Sequence, residues 1–348
     1  MYFDGHIHCR DWGEKDKETV KHGLETALMS GVDGILDMPN TKPAIITKEK
    51  ALRRIALTDS YGLPVFYGIL MGVTPNPQQI REAVETYREF FPRVAGLKMF
   101  AGRSTNNLSV IEPKEQELVY KTLSDCGYGG ILVVHCEKQG FIDDNKFDYK
   151  NPITHCLARP PEAELESAKD QFAFGWKYEF RGTIHVAHVS ALITADYISA
   201  CKKNLGFNEI SRLKISCGVT PHHLFLDESV MLGEDGNYYK VNPPLRMVKD
   251  NVGLLKHLKS GTFTCIETDH APHLLLEKLS THPPSGIPGI HLWPKIAKKL
   301  EEISFTQKQI DDLTFFNAVR LFALEKVIKR TNNPGNLNLQ EYSYGNYL

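Results

Sequence analysis

The chain has 348 residues, of which 42% are hydrophobic and 24% are charged, and its formal net charge is -1 at pH 7. This composition is ordinary for a globular protein and argues against a disordered, collagen-like or small disulfide-rich chain. The near-zero charge gives no general attraction to nucleic acid or membranes, and no apolar run approaches the about 20 residues that span a bilayer. The seven cysteines show no C-x-x-C spacing, and the start, MYFDGHIHCRD, lacks the features of a signal peptide. We therefore expect reduced thiols and a cytoplasmic location.

Short apolar runs alternate with longer amphipathic stretches along the chain. Eight runs are predicted strands: 2–7, 34–38, 64–70, 95–99, 131–135, 183–188, 213–217 and 263–267. Seven stretches between them are predicted helices: 18–29, 48–60, 78–90, 114–124, 162–174, 191–201 and 248–258. This alternation predicts an α/β fold, a (β/α)8 TIM-type barrel. The alternative is a doubly wound open sheet, which usually carries a Gly-rich phosphate turn after its first strand, whereas this strand ends in His, Cys and Arg.

The first predicted strand carries a polar face. Asp4, His6, His8 and Arg10 occupy alternate positions in DGHIHCRD. Because side chains on a strand alternate between its faces, these four are predicted to share one face. Two imidazoles on one face can chelate a metal ion, although a polar strand end with hydrogen-bonded histidines has the same pattern.

Further candidate ligands follow later strands. Lys98 lies toward the end of AGLKMF in an apolar context that suits a lowered pKa, His135 lies toward the end of ILVVHCE, and Asp269 follows TFTCIET. In TIHVAHVS, His185 and His188 are three residues apart, so on a strand they would point to opposite faces. We expect His188, nearer the strand end, to face the barrel mouth and His185 to pack or hydrogen-bond. Barrel enzymes place their chemistry at the carboxyl-terminal ends of the strands, where these candidates would converge.

Eight motifs in the chain resemble, in the same order, those of the dihydroorotases, a cyclic-amidohydrolase branch of the metal-dependent hydrolase superfamily. They cover residue 4 to about residue 290 and read DGHIHCRD, MPNTKPA, GLKMFAGRSTNN, VVHCE, HVAHVS, TPHHL, NPPLR and TDHAPH. A lone His-x-His would be weak evidence, whereas eight ordered motifs are specific.

The resemblance implies a centre with two zinc ions. His6, His8 and Asp269 would bind one ion, and His135 and His188 would bind the other. Lys98 would bridge them as an N-carboxylated lysine, because a carbamate offers two anionic oxygens while an ammonium group cannot bind a cation. Imidazole and carboxylate ligands suit zinc.

The resemblance also implies the reaction, which is reversible hydrolysis of the cyclic amide of L-dihydroorotate to N-carbamoyl-L-aspartate in de novo pyrimidine biosynthesis. Asp269 would take the proton of the attacking water and pass it to the leaving nitrogen. Family positions imply that the substrate is contacted by Arg10, Asn40, Asn242 and His273, and that Ser104 and Thr105 add loop contacts. Arg10 can form a bidentate pair with the ring carboxylate. Read without the resemblance, Arg10 is a surface charge and Asn40, beside Pro39, a turn residue.

Two other functions stay open. Hydantoinase-, dihydropyrimidinase- and allantoinase-like relatives share the metal ligands but usually lack an arginine at the position of Arg10. Dihydroorotase-like chains that have lost metal ligands act as inactive scaffold partners, whereas this chain keeps every ligand type. The neighbouring His222 and His223 in TPHHL are predicted to be structural or to lie behind the ligands.

The organisation predicted is one barrel domain over 1–348, with a C-terminal tail from about 323 to 348. The accessory β-sandwich of many family members is expected to be missing, because the metal motif starts at residue 4 and the tail lacks the usual Gly-rich and Asp-rich strands. A small-molecule substrate is the expected partner. The sequence leaves open a homo-oligomer and a transcarbamoylase partner.

Overall fold

The protein folds into eight parallel strands that form one sheet in sequential order. A computed structural model describes residues 1–103, 108–206 and 213–348. The strands are β1 Tyr2–Ile7, β2 Val32–Asp37, β3 Phe66–Gly72, β4 Val94–Ala101, β5 Ile131–Cys136, β6 Thr183–Val186, β7 Lys214–Val219 and β8 Cys265–Ile266. Each predicted strand overlaps one of these, so the predicted barrel is confirmed and the doubly wound alternative is wrong.

Helices follow the strands along the chain. They are α1 Val20–Met29, α2 Lys48–Asp59, α3 Pro77–Phe90, α4 Pro113–Asp125, α5 Thr154–Ala158, α6 Pro161–Lys177, α7 Leu192–Gly206, α8 Pro221–Phe225, α9 Val248–Lys259, α10 Leu275–Lys278, α11 Trp293–Glu302, α12 Gln307–Asp311 and α13 Asn317–Leu321. Each of the seven predicted helices overlaps one of them. Side-chain caps explain several starts: Thr19, Thr47 and Asn76 accept hydrogen bonds from the first-turn N–H groups of α1, α2 and α3.

The barrel closes between β8 and β1. β8 pairs with β7 through Gly218 and Cys265. Beyond β8, the N–H of His8 donates to the carbonyl of His270 over 2.8 Å, and Ile7 forms a parallel bridge with His270. The closure therefore brings the motif DGHIHCRD next to the motif TDHAPH, from opposite ends of the chain.

An apolar plug fills the barrel from the side where the strands begin. Phe3, Ala95 and Ile131 from the strand starts pack in one buried cluster with Phe315 and Phe322 from the C-terminal part of the chain. Burying each of the phenylalanine and isoleucine side chains stabilises the fold by roughly 1.5–3 kcal/mol. With this end filled, the carboxyl-terminal end is left as the mouth.

None of the helices in the described ranges is long and apolar enough to cross a membrane. Residues 323–348 form turns and extended segments without helix or strand. The expected single-domain organisation without a β-sandwich stays a prediction.

Candidate active site

A cavity of about 380 Å³ opens at the mouth of the barrel. Six predicted site residues from the strand ends line it: His6, His8, Arg10, His135, His188 and Asp269. Because parallel strands bring their carboxyl ends to one edge, residues from both ends of the sequence meet in this space.

His6, His8 and Asp269 form one group of metal-ligating atoms within 4.8 Å of one another. Nε2 of His8 lies 2.9 Å from Oδ1 of Asp269, and Nε2 of His6 lies 3.5 Å from the same oxygen. Nδ1 of His8 lies 2.6 Å from Oδ1 of Asn40. A neutral imidazole has one N–H for these two acceptors, so a cation between Nε2 and Asp269 would satisfy both.

His135 and His188 form a second pair across from the first. Nδ1 of His135 lies 3.1 Å from Nε2 of His188, and the rings of His188 and His6 are 5.1 Å apart. Nε2 of His135 faces Oε2 of Glu137 at 3.1 Å, so this nitrogen carries the N–H and Nδ1 presents its lone pair to the pocket.

Lys98 is fully buried on β4. Among the described residues, its Nζ has no hydrogen-bond partner. Burial lowers the pKa of this lysine to about 8, while the negative charges of Glu267 and Asp269 oppose the shift. A buried amine with a lowered pKa and no acceptor suits conversion to a carbamate better than it suits a structural ammonium.

Two of the predicted ligands have strained backbones. His188 has φ of 41° and Asp269 has φ of 49°, in the left-handed region that non-glycine residues rarely adopt. β6 ends at Val186, so His188 lies beyond the strand. Such strain concentrates at functional sites, and the surrounding contacts must hold it in place.

Glu267 supplies part of that support, and sequence reasoning missed it. Its Oε1 accepts the backbone N–H of His188 at 2.6 Å and lies 3.7 Å from Nδ1 of His6. Its Oε2 lies 3.3 Å from Nε2 of His185. Gly218 makes the room, because a Cβ there would lie 2.5 Å from the Glu267 carboxyl group. Glu267 thus contacts two predicted ligands, His6 and His188, and supports their positions.

A buried ion pair between Arg159 and Glu137 supports His135 in a similar manner. Arg159 donates from Nη2 to Oε2 of Glu137 at 2.6 Å and from Nε to Oε1 at 3.0 Å. Burial alone would raise the pKa of Glu137, but the charge of Arg159 and the hydrogen bonds hold it well below its usual range. The only indication of this role in the sequence is that Glu137 directly follows His135 and Cys136 in VVHCE.

The segment after β1 is anchored by Arg54. This fully buried guanidinium pairs with Asp37 at 2.8 Å and donates to the carbonyls of Cys9 and Arg10. Cys9, in turn, donates its N–H to Asp37 at 2.9 Å. The anchor sets the direction of the chain between His8 and Arg10.

The same cavity is lined by the predicted substrate-binding residues. Arg10 is 6% exposed; its Nε donates to the carbonyl of Pro272 at 3.0 Å, and its Nη2 lies 2.9 Å from Nε2 of His273. Burial, and then the charge of Arg10, lowers the pKa of His273 far below its ordinary value. Asn40 and Asn242 also line the cavity. The four residues therefore surround one volume beside the histidines.

Tyr344, from the C-terminal segment, was also missed. Its hydroxyl accepts the backbone N–H of His273 at 2.7 Å and donates to the carbonyl of the same residue at 3.1 Å. No motif in the tail predicts this contact, because the contact depends on the path of the chain after the last helix.

Two expectations about side-chain direction are wrong. Asp4 does not join the histidines in the pocket; it accepts hydrogen bonds from Thr268 and from the Trp293 indole at 3.0 Å. The pairing of β1 shifts register between Asp4 and Ile7, which breaks the simple alternation. His185 and His188 were expected on opposite faces of a strand, but β6 ends before His188 and both side chains lie inside the barrel. The His188 side chain lines the cavity, as expected, while that of His185 lies beside Glu267 and Phe322.

The remaining histidines have separate surroundings. His185 belongs to a buried group with Cys265 and Glu267, and its Nδ1 lies 2.8 Å from Oγ of Ser216. His223 bonds to Thr220 and to the carbonyl of Pro243, which indicates a structural role. His222 is fully buried, and within the described chain neither of its ring nitrogens has a hydrogen-bond partner. The predicted contacts Ser104 and Thr105 lie outside the described residues.

Solved structures share this fold. An L-hydantoinase (dihydropyrimidinase) from Arthrobacter aurescens matches with a TM-score of 0.81 at 18% identity, covering 96% of this chain and 73% of that chain. A dihydroorotase from Saccharomyces cerevisiae, solved with 5-fluoroorotic acid, matches with a TM-score of 0.75 at 18% identity, covering 93% and 84%. These structures therefore share the barrel fold of this chain.

Sequence relatives narrow the class. No protein-family model matches the chain. A dihydroorotase from Methanosphaera stadtmanae is 32% identical over 346 residues, covering 96% of this chain and 69% of the relative. One from Pyrobaculum aerophilum is 31% identical over 285 residues, covering 82% and 62%. The chain thus belongs to the dihydroorotase family, and it spans about two thirds of the length of these relatives.

Proposed function

We propose that the protein hydrolyses the cyclic amide of L-dihydroorotate to N-carbamoyl-L-aspartate, and catalyses the reverse ring closure, with two zinc ions at the barrel mouth. The observation that carries the proposal is that two sets of groups line one cavity. Converging imidazoles and a carboxylate form the first set, and a buried arginine against a histidine forms the second. The buried amine of Lys98, without an acceptor, lies on β4 outside this lining.

The residues present fit the two metal ions. His6, His8 and Asp269 would hold one ion, His135 and His188 the other, and Lys98, as its carbamate, would bridge them. The facing nitrogens of His135 and His188, and the two acceptors that flank His8, are arrangements that a cation relieves. Two bound zinc ions would polarise the ring carbonyl and lower the pKa of a shared water.

The chain's own groups then bind and orient the substrate. Arg10 would pair with the ring carboxylate, and His273 and Asn40 would complete that contact. With the ring carboxylate at Arg10, the ring amide would lie toward Asp269. Burial would raise the pKa of Asp269, but its bond to His8 and the nearby His6 hold the pKa well below its usual range, so the group is ionised and able to accept a proton. Asp269 would take that proton from the attacking water and deliver it to the leaving nitrogen.

The proposed preference among substrates rests on Arg10. Hydantoin and dihydrouracil carry no ring carboxylate, so they would leave the Arg10 guanidinium buried without a counter-charge. This mismatch favours a carboxylate-bearing ring over the substrates of the hydantoinase-like alternative.

Metal analysis combined with turnover tests the proposal. Protein purified in the presence of bicarbonate should hold close to two zinc ions per chain and release N-carbamoyl-L-aspartate from L-dihydroorotate. Asp269→Ala should lose at least the factor of about 10²–10⁴ that a general acid–base group contributes. A folded protein that binds no zinc and gains no activity on zinc addition would contradict the proposal and favour an inactive scaffold.

A further inference from the structure

A second cavity, of about 610 Å³, adjoins the catalytic pocket. The two cavities share Arg103, Arg159, Asn242 and Ser285. The outer cavity is also lined by Phe147 and Lys240. Nothing in the proposed chemistry uses this space.

Lys240 is the distinctive group of the outer cavity. Its Nζ donates to the carbonyl of Pro283 at 2.6 Å and lies 4.4 Å above the centre of the Phe147 ring. None of the carboxylates in the described ranges comes within ion-pair distance of this nitrogen. The partly buried ammonium group of Lys240 therefore contacts a neutral carbonyl oxygen and an aromatic ring. It retains N–H groups that can donate to a ligand.

The other charges of the cavity leave it positive. Arg103 pairs with Asp144 at 2.5 Å. Arg159 pairs with Glu137 at 2.6 Å and lies 3.9 Å from Asp144. Two carboxylates thus serve two arginines, and the charge of Lys240 remains uncompensated.

The positive charges also shift the pKa values of two groups that line the cavity. Burial, and then the charge of Arg159, lowers the pKa of Lys240 to about 8. Burial, and then the charge of Lys240, likewise lowers the pKa of His155 to about 3. Like charges that disfavour each other across a cavity are stabilised when an anion enters it.

We propose that the outer cavity is a binding site for a small dianion, either phosphate or a dicarboxylate, centred on Lys240 and flanked by Arg103 and Arg159. The site is distinct from Arg10, where a ring carboxylate would bind. A dianion suits it because its two negative charges can be shared between Lys240 and the arginines that line the same cavity. An anion there would also sit at the approach to the catalytic pocket.

Calorimetric titration of the zinc-loaded protein with phosphate, and separately with succinate, tests the site at low ionic strength. Lys240→Met should weaken dianion binding about tenfold, the loss of one charge-assisted hydrogen bond. Lys240→Arg should keep most of the affinity. The more tightly bound of phosphate and succinate identifies the source of the anion.

Two controls separate the outer cavity from general surface charge and from the metal centre. Lys146 is an exposed lysine that pairs loosely with Asp143 at 3.9 Å and does not line the cavity, so Lys146→Met should leave binding within about twofold. Binding that survives removal of zinc excludes the metal centre as the anion's site. The titration needs no turnover, so it can fail while the proposed hydrolysis stands, and the reverse also holds.

Three results would overturn the inference. Unchanged dianion affinity in Lys240→Met would show that this lysine only ties down the segment at Pro283. Equal losses in Lys146→Met and Lys240→Met would reduce the effect to general surface charge. Loss of all binding on zinc removal would place the anion at the metals.

Discussion

Arg10→Met should weaken turnover of L-dihydroorotate while sparing a cyclic amide that lacks a carboxylate. Arg10 is held in place by hydrogen bonds from Nε to Pro272 and from Nη2 toward His273. Within the described chain, no hydrogen bond uses its Nη1 group, which leaves that edge for the substrate. Methionine keeps most of the side-chain volume and removes the charge.

The magnitude follows from the contact that is lost. A hydrogen bond to a charged group contributes roughly 1.5–3 kcal/mol, and about 1.4 kcal/mol corresponds to a factor of ten. We therefore expect kcat/KM for dihydroorotate to fall about tenfold to a hundredfold. The zinc content should not change, because Arg10 is not a ligand.

Steady-state kinetics on dihydroorotate and dihydrouracil, with metal analysis of the same samples, provides the assay. Lys17→Met is a matched control, because Lys17 also lines the cavity but already pairs with Glu14 at 2.9 Å and with Glu277 at 3.5 Å. Equal losses on both substrates, or loss of zinc from Arg10→Met, would refute carboxylate recognition and assign Arg10 a structural role.

Four further predictions concern the supporting residues. Lys98→Ala should abolish turnover and lower the zinc content, and short carboxylic acids should restore part of both by occupying the gap; unaltered zinc binding would contradict the bridging role. Glu267→Gln should weaken zinc affinity about tenfold to a hundredfold in a chelator competition, as is usual when a group behind a metal ligand is changed. Tyr344→Phe should raise KM for dihydroorotate about fivefold with kcat nearly unchanged, because the backbone groups of His273 lose about 1 kcal/mol of hydrogen bonding; an equal effect with dihydrouracil would argue against it. Burial raises the pKa of Glu18, but the charge of His270 and hydrogen bonds with His22, His270 and Tyr342 lower it from 4.5 to about 2. The free energy of unfolding should therefore fall as the pH drops from about 4.5 to about 2, and it should fall less in Glu18→Gln.

The barrel could be predicted from the sequence because its strands are separated by clear helical periodicity. β1 was predicted with the bounds that it has, Tyr2–Ile7. β8 was expected over 263–267 but is only Cys265–Ile266. Beyond this short strand, Asp269 has a left-handed backbone and His270 returns to the barrel through its bridge with Ile7.

The convergence of the predicted ligands could be anticipated for a related reason. His6, Lys98 and His135 lie on strands and His8 lies directly after one, where sequence position translates into location near the mouth. His188 lines the cavity as expected, but it does so after the end of β6 and with a left-handed backbone, which strand alternation does not predict. That these residues bind metal stays a prediction. Strand alternation also failed at Asp4, where the register shifts.

The residues behind the ligands could not be predicted. Glu267 and Arg159 act through contacts with residues 79 and 22 positions away along the chain. Neither stands in a pattern that distinguishes it from a surface charge until the barrel closes around it. Tyr344 reaches His273 only because the tail passes along the mouth.

The central claim is that a carboxylate-bearing cyclic amide is the substrate of a two-metal site. The most direct measurement is kcat/KM of the zinc-loaded protein for L-dihydroorotate, with hydantoin, dihydrouracil and allantoin measured beside it. The structure predicts that dihydroorotate exceeds each of the other three by at least about tenfold, the contribution of one charge-assisted contact. Equal or greater kcat/KM for any of the three uncharged rings, or no turnover of dihydroorotate by protein that holds two zinc ions, would contradict it.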